Sequence, residues 1–151
     1  MDHAEIKKLA HRYRKLIDDK PDKENAWNAQ FYGFPNGFCD FVSQMFGKYL
    51  FERCGVNAKY VSGTHREGFC PYGSHAWLES GELIVDLTCD QFPHDPRPAP
   101  YIGKDPTWHS QWSLDRTETR MGKLLECDGD EMGRPWDDAY QDLLEQMDEH
   151  R

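Results

Sequence analysis

A chain of 151 residues is the length of one domain and is long enough to bury a core without covalent cross-links. Eighteen basic residues against 27 acidic ones leave a net charge of −9, which repels phosphate backbones and anionic lipid surfaces and argues against nucleic acid and membrane as partners. The hydrophobic share is 38%, and aromatic residues at 13% supply enough large side chains for a globular chain instead of a disordered one.

No apolar run reaches the length of a membrane span, and Met1-Asp2-His3-Ala4-Glu5 lacks the basic and then apolar regions of a secretory signal. The expected address is therefore the cytoplasm, with export by a dedicated secretion system left open. Five cysteines, Cys39, Cys54, Cys70, Cys89 and Cys127, form an odd set at irregular spacings. That favours reduced thiols over a disulfide framework.

Residues 4–17 carry Ile6, Leu9, Ala10, Tyr13, Leu16 and Ile17 at helical spacing, with Asp2 as N-cap and 18–21 as the stop. Residues 20–36 contain Trp27, Phe31, Tyr32 and Phe34, too aromatic for a free linker, and are expected to wall a cleft beside Cys39. A second helix is predicted over 39–53. It is apolar on more than one side through Phe41, Val42, Met45, Phe46, Tyr49 and Leu50, hence central and buried, and Cys54-Gly55 closes it.

Residues 57–63 read as a strand and 64–73 as a polar, glycine-rich loop. Two further strands, 74–80 and 83–88, are joined at Gly81-Glu82 in a hairpin. An even-numbered turn puts His75 and Asp86 on one face as direct or diagonal neighbours, about 4.5–8 Å apart at Cβ; an odd one separates them.

Five prolines between 92 and 106 exclude sheet and helix there and predict a surface excursion anchored by Tyr101 and Ile102. Residues 108–127 suggest a strand and then a short helix over 116–125. Pro135 opens a last helix, with Trp136, Ala139, Tyr140, Leu143, Leu144 and Met147 as its stripe. The fold class is α+β: one domain over 1–151, a central helix packed on an antiparallel sheet, with helices at both ends.

A cysteine where a glycine-bearing turn (Asn36-Gly37-Phe38) enters a helix meets unsatisfied backbone N–H groups and the positive end of the helix dipole, which favour the thiolate. His75 can serve that thiol as base, and Asp86 can fix the imidazole in one tautomer. Taken singly, a cysteine at a helix start is more often a packing residue and a lone histidine is usually structural. Asp86, inside Leu83-Ile84-Val85-Asp86-Leu87, is costly to bury unless something pairs with it. Together the three point to nucleophilic catalysis. Asn36, Gln30 and Gln91 are candidate oxyanion or substrate amides, although Asn36 serves equally as a helix cap and Gln91 equally as a pin for the loop after the strand.

His65, Cys70, His75, Cys89, His94 and His109 are ligand types, but no Cys-x-x-Cys or His-x-x-x-His pair occurs, so no metal is expected. Cys54, Cys70, Cys89 and Cys127 read as packing thiols. Phosphate-loop and dinucleotide fingerprints are absent, and no cofactor is expected.

Gly37-x-Cys39 leading a helix, Ser43 one turn on, His75-Ala76-Trp77-Leu78-Glu79, and Val85-Asp86-Leu87-Thr88 followed by Asp90-Gln91-Phe92 resemble the papain-like superfamily in its transglutaminase-like, bacterial forms. The resemblance covers residues 33–92. It implies Cys39 as nucleophile, His75 as general base and acid, and Asp86 as the orienting carboxylate. The chain departs from the peptidase pattern in having no glutamine in Gly33-Phe34-Pro35. The implied activity is a thiol-dependent amide hydrolase or acyl transferase (peptidase, glutamine deamidase or transglutaminase-like) acting on a protein or peptide, compatible with a bacterial effector. The alternative is a catalytically silent binding or regulatory module that docks partners on residues 27–34.

Overall fold

Residues 1–20, 31, 34, 35, 37–64, 74–92, 95, 97–116 and 136–149 are described by a computed structural model. The elements in chain order are α1 (His3–Asp18), α2 (Cys39–Cys54), β1 (Lys59–Thr64), β2 (Ser74–Ser80), β3 (Leu83–Asp86), β4 (Tyr101–Gly103), β5 (Ser113–Arg116) and α3 (Trp136–Asp148). Single helical turns occur at Cys89–Gln91 and His109–Gln111. The class is α+β, as the sequence leads one to expect.

α1 begins as its sequence dictates. Asp2 accepts from the Glu5 N–H at 2.8 Å while Glu5 reaches back to the Asp2 N–H, a capping box worth about 1 kcal/mol. Ile6, Ala10, Tyr13 and Ile17 are its buried stripe. α2 has no polar cap. Its N-cap is Phe38, which makes no side-chain cap hydrogen bond, and Gly37 just before it has φ +76°, a value that favours glycine. Asn36 lies outside the described residues. Gly55, at φ +68°, ends the helix in the left-handed conformation.

The sheet runs β4-β3-β2-β1-β5, every pairing antiparallel. The β2–β3 register pairs Ser80 with Leu83 across the two-residue turn Gly81-Glu82, and Leu78 with Val85. Continued one step at a time, it sets Asp86 opposite Trp77, diagonal to His75 and on the same face. The even-turn expectation is met. β3 stops at Asp86, two residues before the predicted end, because Asp86 Oδ1 takes the Thr88 N–H at 3.0 Å and bends the chain out of the ladder.

Two more expectations are corrected. The proline-rich segment does contain a strand, β4. Its prolines leave 101–105 unbroken, and an edge strand needs donors on one side only. Arg116, expected to open a short helix, instead ends β5 against Ser62 of β1; 117–125 lie outside the described residues, as does Pro135.

Alternation along the strands divides the core in two. Ala76, Leu78, Val85 and Leu87 face α2 and join one cluster with the buried stripes of all three helices, including Tyr13 at 5.0 Å from Phe46. Val61, Trp77 and Ile84 face the other way, into a second cluster with Cys89, Trp108 and Trp112. Burying each large apolar side chain contributes roughly 1.5–3 kcal/mol. The helices therefore hold one face of the sheet and the 89–112 segment the other. No helix among the described residues is long and apolar enough to cross a membrane.

Candidate functional site

Cys39 is the first residue of α2. Val42 N–H to Phe38 C=O, 3.0 Å, is the helix's first bond, so the N–H groups of Cys39 and Asp40 precede the intrahelical ladder and point outward from its positive end. Phe31 and Phe34 pack against Phe38 at 5.7 and 5.6 Å, the first tilted and the second edge-on, so this part of the aromatic connection supports the turn that precedes Cys39. Asp40 does not aim its charge at the sulfur. Its Oδ1 is held by the Tyr60 hydroxyl and the Gln44 amide, both at 2.6 Å.

His75, second residue of β2, and Asp86, last of β3, meet on the sheet face opposite α2. His75 Nε2 lies 2.6 Å from Asp86 Oδ2. Both side chains are buried, at 1% and 0% exposure, and Cys39 at 9%. A carboxylate sealed from water must be saturated with donors, and Asp86 is: Thr88 N–H on Oδ1, and on Oδ2 both His75 and His109, whose Nε2 stands at 2.7 Å. Burial alone raises its pKa. The charge on His75 and the two imidazole hydrogen bonds override that and hold it well below the usual carboxylate range.

The same bond fixes the base. An ionised Asp86 only accepts, so His75 holds a proton on Nε2 whether the ring is neutral or charged, and Nδ1 is the nitrogen that gains or loses the second proton. Burial lowers the pKa of His75, but Asp86, by charge and hydrogen bond, and then Cys39, by hydrogen bond and charge, push it up to about 9. Nδ1 has no partner meeting full hydrogen-bond geometry. Cys39 therefore acts on the ring electrostatically without making a hydrogen bond that meets full geometry. Cys39 belongs to the helical cluster while His75 points to the far face.

Four aromatic rings surround the imidazole: Phe92 and Trp108 edge-on at 5.0 and 5.5 Å, Trp77 and Trp112 tilted at 5.6 Å each. Trp112 is pressed close because Gly63, opposite His75 on β1, lacks a Cβ; one built there would stand 2.9 Å from Ser113 O and 3.0 Å from Trp112 Cβ.

Arg14 of α1 holds the loop after β3. It donates to Leu87 C=O at 2.7 Å, grips both oxygens of Asp90 at 2.8 and 2.7 Å, and lies 4.7 Å over the Phe34 ring. The Asp86 side of the site and the Cys39 side are thereby tied through one guanidinium.

Of the six residues expected to form the site, His75 and Asp86 are hydrogen-bonded to each other, and Cys39 contributes to the electrostatics of His75. Gln91 sits in the turn after β3 with its own N–H on Thr88 C=O at 3.1 Å, and makes no hydrogen bond to the other three among the described residues. Gln30 and Asn36 lie outside the described residues, as do Cys70, Cys127, His65 and His94. The described cysteines are free thiols. Cys89 is buried with its thiol on Pro98 C=O at 3.3 Å, and burial pushes its pKa up, in keeping with a packing role.

His109 as a partner of Asp86 is the feature sequence reasoning missed. It stands in Trp108-His109-Ser110-Gln111-Trp112, a stretch without periodicity, and its one signal is a histidine in a tryptophan-flanked run. His75, Asp86 and His109 are also the described group with the donor types of a metal site. Their N···O separations of 2.6 and 2.7 Å are those of charge-assisted hydrogen bonds, whereas two ligands on one tetrahedral zinc sit about 3.3 Å apart. The arrangement fits a shared proton acceptor, not a coordination sphere.

Compared with known proteins, the chain matches no family model, no curated protein and no solved structure.

Proposed function

We propose that this chain is a thiol-dependent amide hydrolase or acyl transferase built on the papain-like, transglutaminase-like core that its Cys39, His75, Asp86 order resembles. The observation that carries the reading is the 2.6 Å bond from His75 Nε2 to a fully buried Asp86, which leaves the other ring nitrogen to a thiol at a helix N-terminus.

In the proposed reaction His75 Nδ1 takes the Cys39 proton, and the sulfur attacks the amide carbonyl carbon. The oxygen of the tetrahedral intermediate faces the Cys39 N–H at the head of α2, which can donate to it without any glutamine. His75 returns the proton to the departing nitrogen, the C–N bond breaks, and a thioester remains. Water, deprotonated by His75, then attacks the thioester carbon; the C–S bond breaks and the carboxylate and thiol are released. An amine in place of water gives a new amide. A protein or peptide is the natural substrate class, because the nucleophile asks only for an exposed amide carbonyl.

Wild-type protein and Cys39→Ala, each incubated with a cell lysate, distinguish the outcomes by mass spectrometry. New peptide termini mark proteolysis, a gain of about 1 Da marks deamidation and amine adducts mark transamidation. Identical lysates, together with iodoacetamide labelling of Cys39 no faster than Cys54 and Cys89 at neutral pH, would replace the enzyme reading with that of a binding module.

A further inference from the structure

Away from Cys39, a pocket of about 350 Å³ opens between α1 and the segment that runs from Arg97 to His109. Neither Cys39 nor His75 lines it. That volume is in the range of small-molecule sites, and basic side chains border it. On a chain of net charge −9, Lys7, His11 and Arg97 converge on one opening. Lys7 and His11 are four residues apart on α1 and so project together, and neither is in an ion pair with a described residue. Arg97 lies 5.8 Å from the Trp108 ring centroid and so spans the charged rim and the aromatic wall. Asp105 is the single lining carboxylate; its Oδ1 takes the Thr107 N–H and hydroxyl at 3.0 and 2.6 Å, and its charge is felt by Arg97, so two basic side chains, Lys7 and His11, face the opening beyond that pair.

Deeper in, the walls are flat and largely apolar: Tyr101, and Trp108 and His109, both buried to within 4% of complete. Cations at the mouth with stacking surfaces behind them match a ligand that has a charged end and a planar end.

We propose that this pocket binds a small planar anion, an aromatic ring bearing a carboxylate or a phosphate, with the ring against Trp108 and Tyr101 and the charge toward Lys7, His11 and Arg97. Such a ligand touches His109, whose Nε2 donates to Asp86, so it sits one side chain from the carboxylate that orients His75 without meeting the thiol. The site is independent of the proposed hydrolase chemistry and stands if that fails.

The test is calorimetric titration of the full chain with 4-hydroxybenzoate and adenosine 5′-monophosphate as the two kinds of aromatic anion. Phenol supplies the ring alone and inorganic phosphate the charge alone. Expected is saturable 1:1 binding of one aromatic anion, at least about tenfold tighter than either control; which of the two saturates decides between carboxylate and phosphate. Lys7→Glu combined with Arg97→Glu should weaken it by about tenfold or more at an unchanged melting temperature, and Cys39→Ala should leave it unaltered. Absence of saturation by both anions at millimolar concentration, or equal affinity in the doubly substituted chain, would overturn the proposal.

Discussion

Asp86→Asn removes one charge and almost no volume, and the surrounding geometry dictates its effect. Three donors point at the carboxylate: Thr88 N–H on one oxygen, His75 and His109 on the other. An amide offers one oxygen and one NH2. With its oxygen toward the rings, the NH2 faces the Thr88 N–H; turned round, the NH2 faces two imidazole N–H groups and drives His75 into the tautomer that cannot take the thiol proton. The lost electrostatic support is sizeable. His75 stands at about 9 against an ordinary 6.5, an interval of roughly 3 kcal/mol, or a few hundredfold in the ratio of imidazolium to imidazole. Without the charge, burial draws the ring to 6.5 or beneath, and the thiolate loses its counterion.

Alkylation of Cys39 by iodoacetamide, followed by intact-mass and peptide mass spectrometry from pH 5 to 9, reads this directly. At pH 7 the substituted chain should react about a hundredfold more slowly than wild type. Circular dichroism melts establish that it remains folded, since one unsatisfied buried donor costs roughly 1–3 kcal/mol. A folded Asp86→Asn chain alkylated within about threefold of the wild-type rate across the range would refute the claim that Asp86 sustains the thiolate through His75.

The pH dependence of stability has a definite sign on each side. His75 is raised above 6.5, so its contribution is complete below 6.5 and disappears as pH rises through about 9. Asp86 is depressed below 3.8, so its contribution is complete above 3.8 and disappears as pH falls through its folded value. Melting temperature should therefore fall on both flanks, and Asp86→Asn should flatten both. Turnover should decline above about pH 9, where the imidazolium that protonates the leaving amine is lost, while alkylation of the thiolate persists. His109→Phe keeps a ring in the cluster but withdraws one hydrogen bond from a buried charge, an expected loss of roughly 1.5–3 kcal/mol by urea titration. The freed oxygen binds His75 more strongly, so the alkaline limb of turnover should move up; a limb that stays at the wild-type pH would limit His109 to packing. Arg14→Ala unties Leu87 and Asp90 and should cost roughly 1.5–3 kcal/mol, held to that range because Asp90 is 30% exposed. An unchanged urea midpoint would show that the loop after β3 holds itself.

Local signals were legible in the sequence because short-range chemistry produces them. The Asp2 capping box, Gly55 ending α2 and the two-residue turn at Gly81-Glu82 each depend on neighbours within a few positions. That turn fixed the diagonal relation of His75 and Asp86 by parity alone. What was illegible depends on distant partners. Nothing near Asp40 foretells Tyr60, nothing near Asp90 foretells Arg14, and no period marks His109. β4 was hidden by the prolines on either side of it, whose missing donors matter only where a strand has neighbours on both edges. The sheet face was hidden as well: a cysteine heading the central helix suggests a thiol and imidazole on the same side, yet Cys39 comes from the helical core and His75 from the opposite one.

That two-sided approach bears on why one carboxylate oxygen serves two histidines. With Nε2–H of both rings on Oδ2, Nδ1 is the remaining nitrogen on each, and Cys39 acts on the ring of His75. In the proposed reaction the neighbour, not the ring, decides which histidine acts as base. At 2.6 Å in full burial, an imidazolium and a carboxylate compete for one proton, and burial favours its transfer to oxygen, since a neutral pair is easier to desolvate. A second donor on the same oxygen makes that oxygen the poorer base. The Nε2 proton then remains on His75, which leaves Nδ1 to exchange a second proton with the sulfur and the departing amine in the proposed reaction, and a fully enclosed Asp86 stays an anion without solvent to help it.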